Sequence, residues 1–216
     1  MVFADRRQAG RALATALAGY KDRRPVILAL PRGGVPVAAE VAAALHAPLD
    51  LILVRKIGVP GHRELAMGAV SDGGQTAVVR NEEIIGLAGI DEAEFNATRD
   101  RELAEIERRR RCYLGDRLPI DIAGRLAIVV DDGIATGATT RAALRAVRSR
   151  GPDKVVLAVP VAPAEAIAVL RAEVDDLICL EIPEPFYAIG VHYGDFTQVS
   201  DDEVRRLLVR HSPAKS

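Results

Sequence analysis

The sequence is poor in residue types whose abundance marks particular classes of protein. Its 216 residues contain no tryptophan and only two cysteines, Cys112 and Cys179, which are far apart and form no Cys-x-x-Cys pair. Neither a disulfide framework nor a zinc knuckle is therefore indicated. No apolar run approaches the ~20 residues that a bilayer requires, and "MVFADRRQAG" at the N-terminus lacks an apolar stretch of signal-peptide length. We therefore expect a cytoplasmic protein with no membrane partner.

An excess of charge of one sign is also lacking. The 29 lysines and arginines nearly balance the 30 aspartates and glutamates, which leaves a formal net charge of -1 at pH 7. No basic field attracts nucleic acid, so we expect no nucleic-acid partner. The basic run at 108–111 follows interleaved acidic residues and has no aromatic platform, and we interpret it as a solvated helix face. A ligand must therefore be recognised by local groups.

Short apolar segments alternate with helical patterns along most of the chain. The strand-like runs lie at 25–30, 49–54, 125–130, 154–160 and 176–182, and the helical patterns at 5–18, 35–47, 138–150 and 163–174. This alternation predicts one α/β domain over residues 1–216, with a mostly parallel sheet covered by helices on both faces. In such sheets ligands bind at the carboxyl ends of the strands.

The segment at about 71–117 departs from this alternation. Gly73-Gly74 and nearby short apolar pieces predict a hairpin outside the main sheet. Residues 91–114 predict a helix, in which Glu105 and Arg109 have the i,i+4 spacing of an ion pair. We therefore expect an insertion made of a hairpin and a helix.

The stretch "IVVDDGIATGATT", residues 128–140, joins a buried strand to a helix through two acids and a run of small residues. Gly133 and Gly137 permit a tight turn. Successive N–H groups of such a turn, with those of the first helical turn, form a site for a phosphate. The hydroxyl groups that can add donors belong to Thr136, Thr139 and Thr140. The lysine of the G-x-x-x-x-G-K-[ST] phosphate loop is absent.

Asp131 and Asp132 stand immediately before this turn. Carboxylates do not hold phosphate, but they accept hydrogen bonds from hydroxyl groups and bind Mg²⁺ directly or through water. A phosphate, two neighbouring hydroxyls and a hard cation together describe a ribose 5-phosphate.

The stretch "VVDDGIATGATT" resembles the 5-phosphoribosyl-1-pyrophosphate (PRPP) motif of the type I phosphoribosyltransferases, in which a strand ends in two acids followed by x-x-x-Thr-Gly-x-Thr. "LALPRGGVPVA", "LVRKIGVPGHRELAMGAV" and "FYAIGVHYGDF" extend the resemblance over nearly the full chain, to a bacterial group described as "putative phosphoribosyltransferases". The resemblance implies the type I fold, a doubly wound mostly parallel sheet flanked by helices, with a hood at about 183–200. It also implies a homodimer that transfers the phosphoribosyl group from PRPP to a nitrogenous base of purine type, with Mg²⁺ as cofactor and pyrophosphate as product.

The resemblance also assigns roles along the chain. The PRPP-binding residues would be Asp131, Asp132, Gly133, Ala135, Thr136, Gly137, Ala138, Thr139 and Thr140, with metal contacts from Asp131 and Asp132, most simply through water. The pyrophosphate-binding residues would be Arg32, Gly33, Gly34, Arg55 and Lys56. "PRGG" at 31–34 supports this independently, because it opens a helix and carries an arginine fork. We expect a non-proline cis peptide at Arg32-Gly33 and a mobile loop at 55–64 that closes over PRPP.

The base and the proton chemistry are assigned less directly. Tyr187, three residues before Gly190, matches an aromatic residue that stacks on the base, with Ala188 and Ile134 as further base contacts. Ala135 replaces the aspartate of hypoxanthine-type enzymes, which makes Glu64 the candidate for proton transfer, beside Arg32, Lys56 and Asp132 as the other catalytic residues. The alternative for Glu64 is a surface carboxylate that pairs with the basic side chain of Arg63 or Lys56. We interpret Phe196 as part of a satellite core and His192 as a packed or surface residue.

Two other classes of protein remain open. A PRPP-sensing regulator would keep the PRPP motif, although a pure sensor would not need Arg32 and Lys56, and such regulators usually add a DNA-binding segment or a basic face. A sugar-phosphate phosphatase or kinase is disfavoured, because the chain has neither the lysine phosphate loop nor a second carboxylate cluster.

Overall fold

The computed structural model describes residues 2–71 and 77–211. Its main sheet has five parallel strands in the order β2-β1-β6-β7-β8. Within the described residues the eight strands are β1 Val26–Ala29, β2 Leu49–Leu51, β3 Val54–Val59, β4 His62–Ser71, β5 Ala77–Arg80, β6 Leu126–Val130, β7 Lys154–Val161 and β8 Asp176–Glu181. The helices are α1 Arg6–Ala16, α2 Gly34–Leu45, α3 Glu82–Ala88, α4 Glu92–Leu114, α5 Ala138–Ser149, α6 Ala164–Arg171 and α7 Asp201–Arg210, with short 3-10 helices at Ala18–Arg23 and Ile189–His192. The predicted fold class is confirmed.

The main sheet is buried on both faces because successive side chains of a strand point to opposite sides. In β6, Ile128 packs with α1, α2 and α7 on one face, whereas Val129 packs with α5 and α6 on the other. The strand runs are therefore continuously apolar, as expected for a parallel sheet between two helical layers.

Residues 55–64 are not the loop predicted from the sequence. They belong to the antiparallel sheet β3-β4-β5, in which β3 and β4 form a hairpin that turns at Pro60-Gly61. Ile57 and Val59 are buried and alternate with exposed or half-buried residues, so the period-2 signal was present but obscured by the charges, glycines and proline around it. The excursion from the main sheet accordingly begins at Val54, earlier than residue 71.

The helix predicted at 91–114 is confirmed as α4, which starts at a capping box formed by Asp91 and Glu94. Glu105 and Arg109 form the predicted ion pair at 2.8 Å. Phe95, 1% exposed, packs α4 against the hairpin. Gly73-Gly74, the other part of the predicted insertion, lies outside the described residues.

A buried ion pair fixes the chain where it returns to the main sheet. Asp50 of β2 is 1% exposed and accepts hydrogen bonds from Arg117 Nη2 at 2.9 Å and from the Ile120 N–H at 2.7 Å. Loss of one partner would leave an uncompensated buried charge. Within the described ranges, no helix is both long and apolar enough to cross a membrane.

Candidate functional site

The strand order creates a crevice between β1 and β6. From β1 the chain continues to β2 on one side, whereas β6 begins the series β6-β7-β8 on the other side. The two strands pair in parallel, with Ala29 opposite Val130, so the loops that follow them emerge side by side. This is the switch point at which doubly wound sheets bind their ligands.

The two loops that leave β1 and β6 are in direct contact. A Cβ atom on Gly33 would lie 2.0 Å from Asp132 Oδ2, and one on Gly34 would lie 2.8 Å from the Val130 carbonyl oxygen. Glycine is therefore required at both positions by close approach. The structure thus brings the predicted pyrophosphate loop against the predicted ribose carboxylates.

The non-proline cis peptide lies at Pro31-Arg32, so the position predicted at Arg32-Gly33 is wrong by one residue. The sequence of this turn carries no signal that distinguishes the two bonds. Gly33 and Gly34 lie in the turn that opens α2, as its N-cap and first residue.

The loop before α5 has the form predicted for a phosphate site. Gly137 has a left-handed backbone, with φ of 77°, and precedes the first residue of the helix. Within residues 133–140 the exposed ones are Ala135, Thr136, Ala138 and Thr139. Thr140, in contrast, is only 3% exposed, so its hydroxyl does not share the open surface of the other two threonines. A helix N-terminus with exposed threonine hydroxyls suits a phosphate monoester.

The two acids occupy different environments. The Asp132 carboxylate is 12% exposed and accepts a hydrogen bond from Arg6 Nε at 2.7 Å. Asp131 Oδ1 accepts from the Asp132 N–H at 2.9 Å. Burial and the neighbouring charge of Asp132 raise the pKa of Asp131 well above its ordinary value. The pair therefore places two acids beside one arginine, and Asp131 is the member that keeps a proton more readily.

Arg6 was not selected from the sequence, although a signal was present. It precedes Ala9 by three residues and Leu13 by seven, and both are fully buried. An arginine at that spacing lies on the buried face of α1 and needs a partner there. The partner is Asp132, 126 positions away, which a helical pattern alone cannot identify.

The two arginines among the predicted pyrophosphate residues pair with carboxylates of distant helices. Arg32 Nη1 lies 3.6 Å from Asp201 Oδ1 of α7, and the same oxygen accepts from the Tyr113 hydroxyl at 2.8 Å. Arg55 Nε lies 2.5 Å from Glu102 Oε2 of α4. These ion pairs orient both arginines.

A cleft of about 720 Å³ lies between the β3-β4 hairpin and α4. It joins residues predicted for pyrophosphate and for PRPP, because Arg55 and Lys56 line it together with Thr139. The remaining lining residues are Gly58, Val59, Pro60, Gly61, Thr98, Arg101, Glu102 and Glu105. Glu64 belongs to β4, and its side chain lies outside what the structure describes.

The predicted base contacts differ in their exposure. Tyr187 is 80% exposed and Ala188 is also exposed, whereas Ile134 is 2% exposed and packs in the core beneath the sheet edge. The side chain of Ile134 therefore offers no surface to a base, because the chain after Asp132 turns it inward. Residue Ile189 instead covers the loop, since a Cβ atom on Gly133 would lie 2.5 Å from its Cγ2.

The aromatic residues of the C-terminal segment mostly pack on each other. Phe196 joins a small cluster with Phe3 and Tyr193, which confirms its interpretation as satellite core. His192 is half-buried and stacks on Phe186, with ring centroids 6.0 Å apart. This agrees with a packed histidine.

The described residues contain no group of three or more His, Cys, Asp or Glu side chains that could hold a metal ion by themselves. Mg²⁺ does not require such a group, since it usually keeps several waters and uses one or two carboxylates plus substrate phosphates. The pair Asp131 and Asp132 fits that mode of binding.

A five-stranded doubly wound sheet, a separate three-stranded antiparallel sheet and two touching loops at the switch point are the features of the type I phosphoribosyltransferase fold. Residues 5–195 match the profile of the phosphoribosyl transferase domain family, and the chain belongs to that family.

Individual relatives agree with this assignment. A Mycobacterium tuberculosis (strain H37Rv) protein named "Putative phosphoribosyl transferase" is 46% identical over 209 residues, which are 97% of this chain and 47% of that protein. The chain thus spans about half the length of the curated relatives that it matches. The crystal structure of TT1426 from Thermus thermophilus is 41% identical, with a TM-score of 0.87, and the match covers 99% of this chain and 100% of that one.

Proposed function

We propose that the protein binds PRPP and transfers its 5-phosphoribosyl group to a ring nitrogen of a purine-type base, releasing pyrophosphate. The observation that carries the proposal is the contact between the β1-α2 loop and Asp132, with the phosphate turn of Gly137 on the same strand edge. PRPP carries its monophosphate and its diphosphate on opposite sides of one ribose. Two anion loops that flank a pair of carboxylates match this order of groups.

In the reaction, a bond forms between the base nitrogen and C1 of the ribose while the bond from C1 to the pyrophosphate oxygen breaks. The pyrophosphate leaves with the electron pair, and positive charge develops on the ribose ring. Catalysis then consists of stabilising the departing charge, aligning the nitrogen and excluding water. Arg32, Arg55 and Lys56 would stabilise the pyrophosphate, and Glu64 would handle the proton of the base.

Asp131 and Asp132 would accept hydrogen bonds from the ribose hydroxyls, and their oxygens suit a magnesium ion bound through water. Mg²⁺ would supply neutralisation of the diphosphate charge. Tyr187, with its exposed ring, would stack on the base. We also infer a cytoplasmic homodimer, on the basis of the resemblance.

The test is to incubate the protein with PRPP, Mg²⁺ and a panel of purines and pyrimidines while pyrophosphate release is measured. We expect release that depends on one base or a few related bases. The control variant Glu107→Gln should release pyrophosphate at the wild-type rate, because Glu107 is exposed on α4 and pairs with Arg111 outside the site.

The outcome also decides between an enzyme and a sensor. PRPP binding in calorimetry without release for any base would favour a PRPP-sensing regulator. Absence of PRPP binding would contradict both functions.

A further inference from the structure

Arg6, the first residue of α1, is part of the site by contact. Its Nε donates to Asp132 Oδ2 at 2.7 Å, and the two side chains are only 11% and 12% exposed. Such a buried pair fixes the orientation of both groups, since neither can turn to water for compensation. The carboxylate held in this way is one of the two that face the proposed ribose.

The same guanidinium contacts the C-terminal segment. Nη1 of Arg6 donates to the Thr197 carbonyl oxygen at 2.8 Å, and its Cζ lies 3.9 Å from the centroid of the Phe196 ring. A planar guanidinium can make these contacts and the Asp132 contact at once, whereas the ammonium of lysine is a single charged point. Arg6 therefore joins the ribose carboxylate to the segment that carries Tyr187.

The backbone around Arg6 is held independently of its side chain. The Phe3 N–H donates to the His192 carbonyl oxygen at 2.8 Å, and the Asp195 N–H donates to the Ala4 carbonyl oxygen at 2.8 Å. Asp5 caps α1 by accepting from the Gln8 N–H at 2.7 Å. A change of the Arg6 side chain should therefore leave the pairing of residues 3–4 with residues 192–195 in place.

If Arg6 served only to hold α1 against residues 196–197, it would not need to contact Asp132. The carboxylate that Arg6 holds is the one whose Oδ2 touches Gly33 of the pyrophosphate loop, at the centre of the site. We propose that Arg6 is a positioning residue that fixes Asp132 for the ribose hydroxyls and couples ribose binding to the base-covering segment at 183–200. This inference rests on the proposed function.

The test compares Arg6→Met and Arg6→Lys with the control Arg7→Met. Arg7 is the next residue of the same helix, is 47% exposed and lies no closer than 3.9 Å to the carboxylates of Glu40 and Glu203. The probes are ribose 5-phosphate and inorganic pyrophosphate, each titrated calorimetrically with Mg²⁺ present. Thermal melting of each variant reports on the fold.

We expect Arg6→Met to weaken ribose 5-phosphate binding about tenfold or more, as loss of one partner of a buried charged pair does. Pyrophosphate binding should change by less than about twofold, because other residues hold that ligand. Arg6→Lys should lie between wild type and Arg6→Met, and Arg7→Met should match wild type. In hydrogen exchange, ribose 5-phosphate should slow the amides of 183–200 in wild type but not in Arg6→Met.

Two results would overturn the inference. One is wild-type affinity of Arg6→Met for ribose 5-phosphate, and the other is an equal loss for both ligands together with a lower melting temperature, which a purely structural role produces. If Arg6→Met does not fold, Arg6→Lys decides by the same difference between the two ligands. Wild-type protein that binds neither PRPP nor ribose 5-phosphate would contradict the proposed function itself, and the inference with it.

Discussion

The proposed ribose side and the proposed pyrophosphate side of the site are held in different ways. On the ribose side, Asp132 in the loop after β6 is buried against Gly33 in the loop after β1, and it is paired with Arg6 of α1. On the pyrophosphate side, the side chains of Arg32 and Arg55 are 34% and 31% exposed, and each faces a carboxylate from a separate helix. Partly exposed ion pairs contribute little stability, so an incoming diphosphate can replace them at low cost. The ribose side is preformed, whereas the pyrophosphate side is held ready by exchangeable partners.

The largest effect is expected from removing both charges of the ribose side. Asp131→Asn with Asp132→Asn should weaken PRPP binding by about 100-fold or more, because several charge-assisted hydrogen bonds and the Mg²⁺ contact are lost together. Calorimetric titration of PRPP measures this, and circular dichroism controls for the fold. Unchanged PRPP affinity would show that Asp131 and Asp132 do not bind PRPP.

Proton transfer should depend on the hairpin rather than on the ribose side. Glu64→Gln should lower turnover by about 100-fold once the base is known, the usual contribution of general acid-base assistance. PRPP affinity should stay at the wild-type level. Wild-type turnover of the Gln variant across about pH 6 to 9 would leave Glu64 as a surface carboxylate.

The two sides should separate in their ligands. Arg32→Ala should weaken pyrophosphate about tenfold and ribose 5-phosphate hardly at all, since a charged hydrogen bond to the diphosphate is lost. Competition binding against labelled PRPP measures both ligands in one series. An equal loss of affinity for pyrophosphate and for ribose 5-phosphate would show that Arg32 is not specific to the pyrophosphate side.

A smaller effect tests whether the carboxylate partners compete with the ligand. Glu102→Gln should tighten pyrophosphate binding about two- to fivefold, because Arg55 no longer has to leave an ion pair. Glu107→Gln on the same helix is the control. Weaker pyrophosphate binding in Glu102→Gln would mean that Glu102 orients Arg55 instead of competing for it.

The smallest effect concerns stability. The pKa of Asp131 is raised by burial and by Asp132, so folding at neutral pH must either bury the charged carboxylate or take up a proton, and both cost stability. Asp131→Asn should therefore raise the melting temperature near pH 7, by about 2–4 °C for each kcal/mol gained. The gain should shrink as the pH falls towards the ordinary value of 3.8, where the wild-type carboxyl is protonated as well. Thermal melts without ligand or metal across this range check the trend, and a destabilised variant at pH 7 would contradict it.

Some features of the two sides could be predicted from the sequence, and others could not. The main sheet and the phosphate turn follow from local signals, namely continuous apolar strands and two glycines before a helix. The partners of Arg32 and Arg55 do not follow, because Asp201 and Glu102 are distant in sequence and only the packing of α4 and α7 brings them near.

Arg6 and Ile134 illustrate the same limit on the ribose side. Burial of Arg6 could be inferred from its spacing to Ala9 and Leu13, but its partner could not. Ile134 was assigned to the base by its place in the motif, and the turn after Asp132 directs its side chain into the core. Position in a motif specifies the backbone path more reliably than the direction of each side chain.

The central claim is that the two sides form one site for one molecule. The most direct measurement is a set of calorimetric titrations of wild-type protein with PRPP, ribose 5-phosphate and pyrophosphate at the same Mg²⁺ concentration. We predict that PRPP binds at least about tenfold more tightly than either fragment, because a linked ligand engages both sides in one binding event. PRPP affinity no higher than that of the better fragment would contradict it.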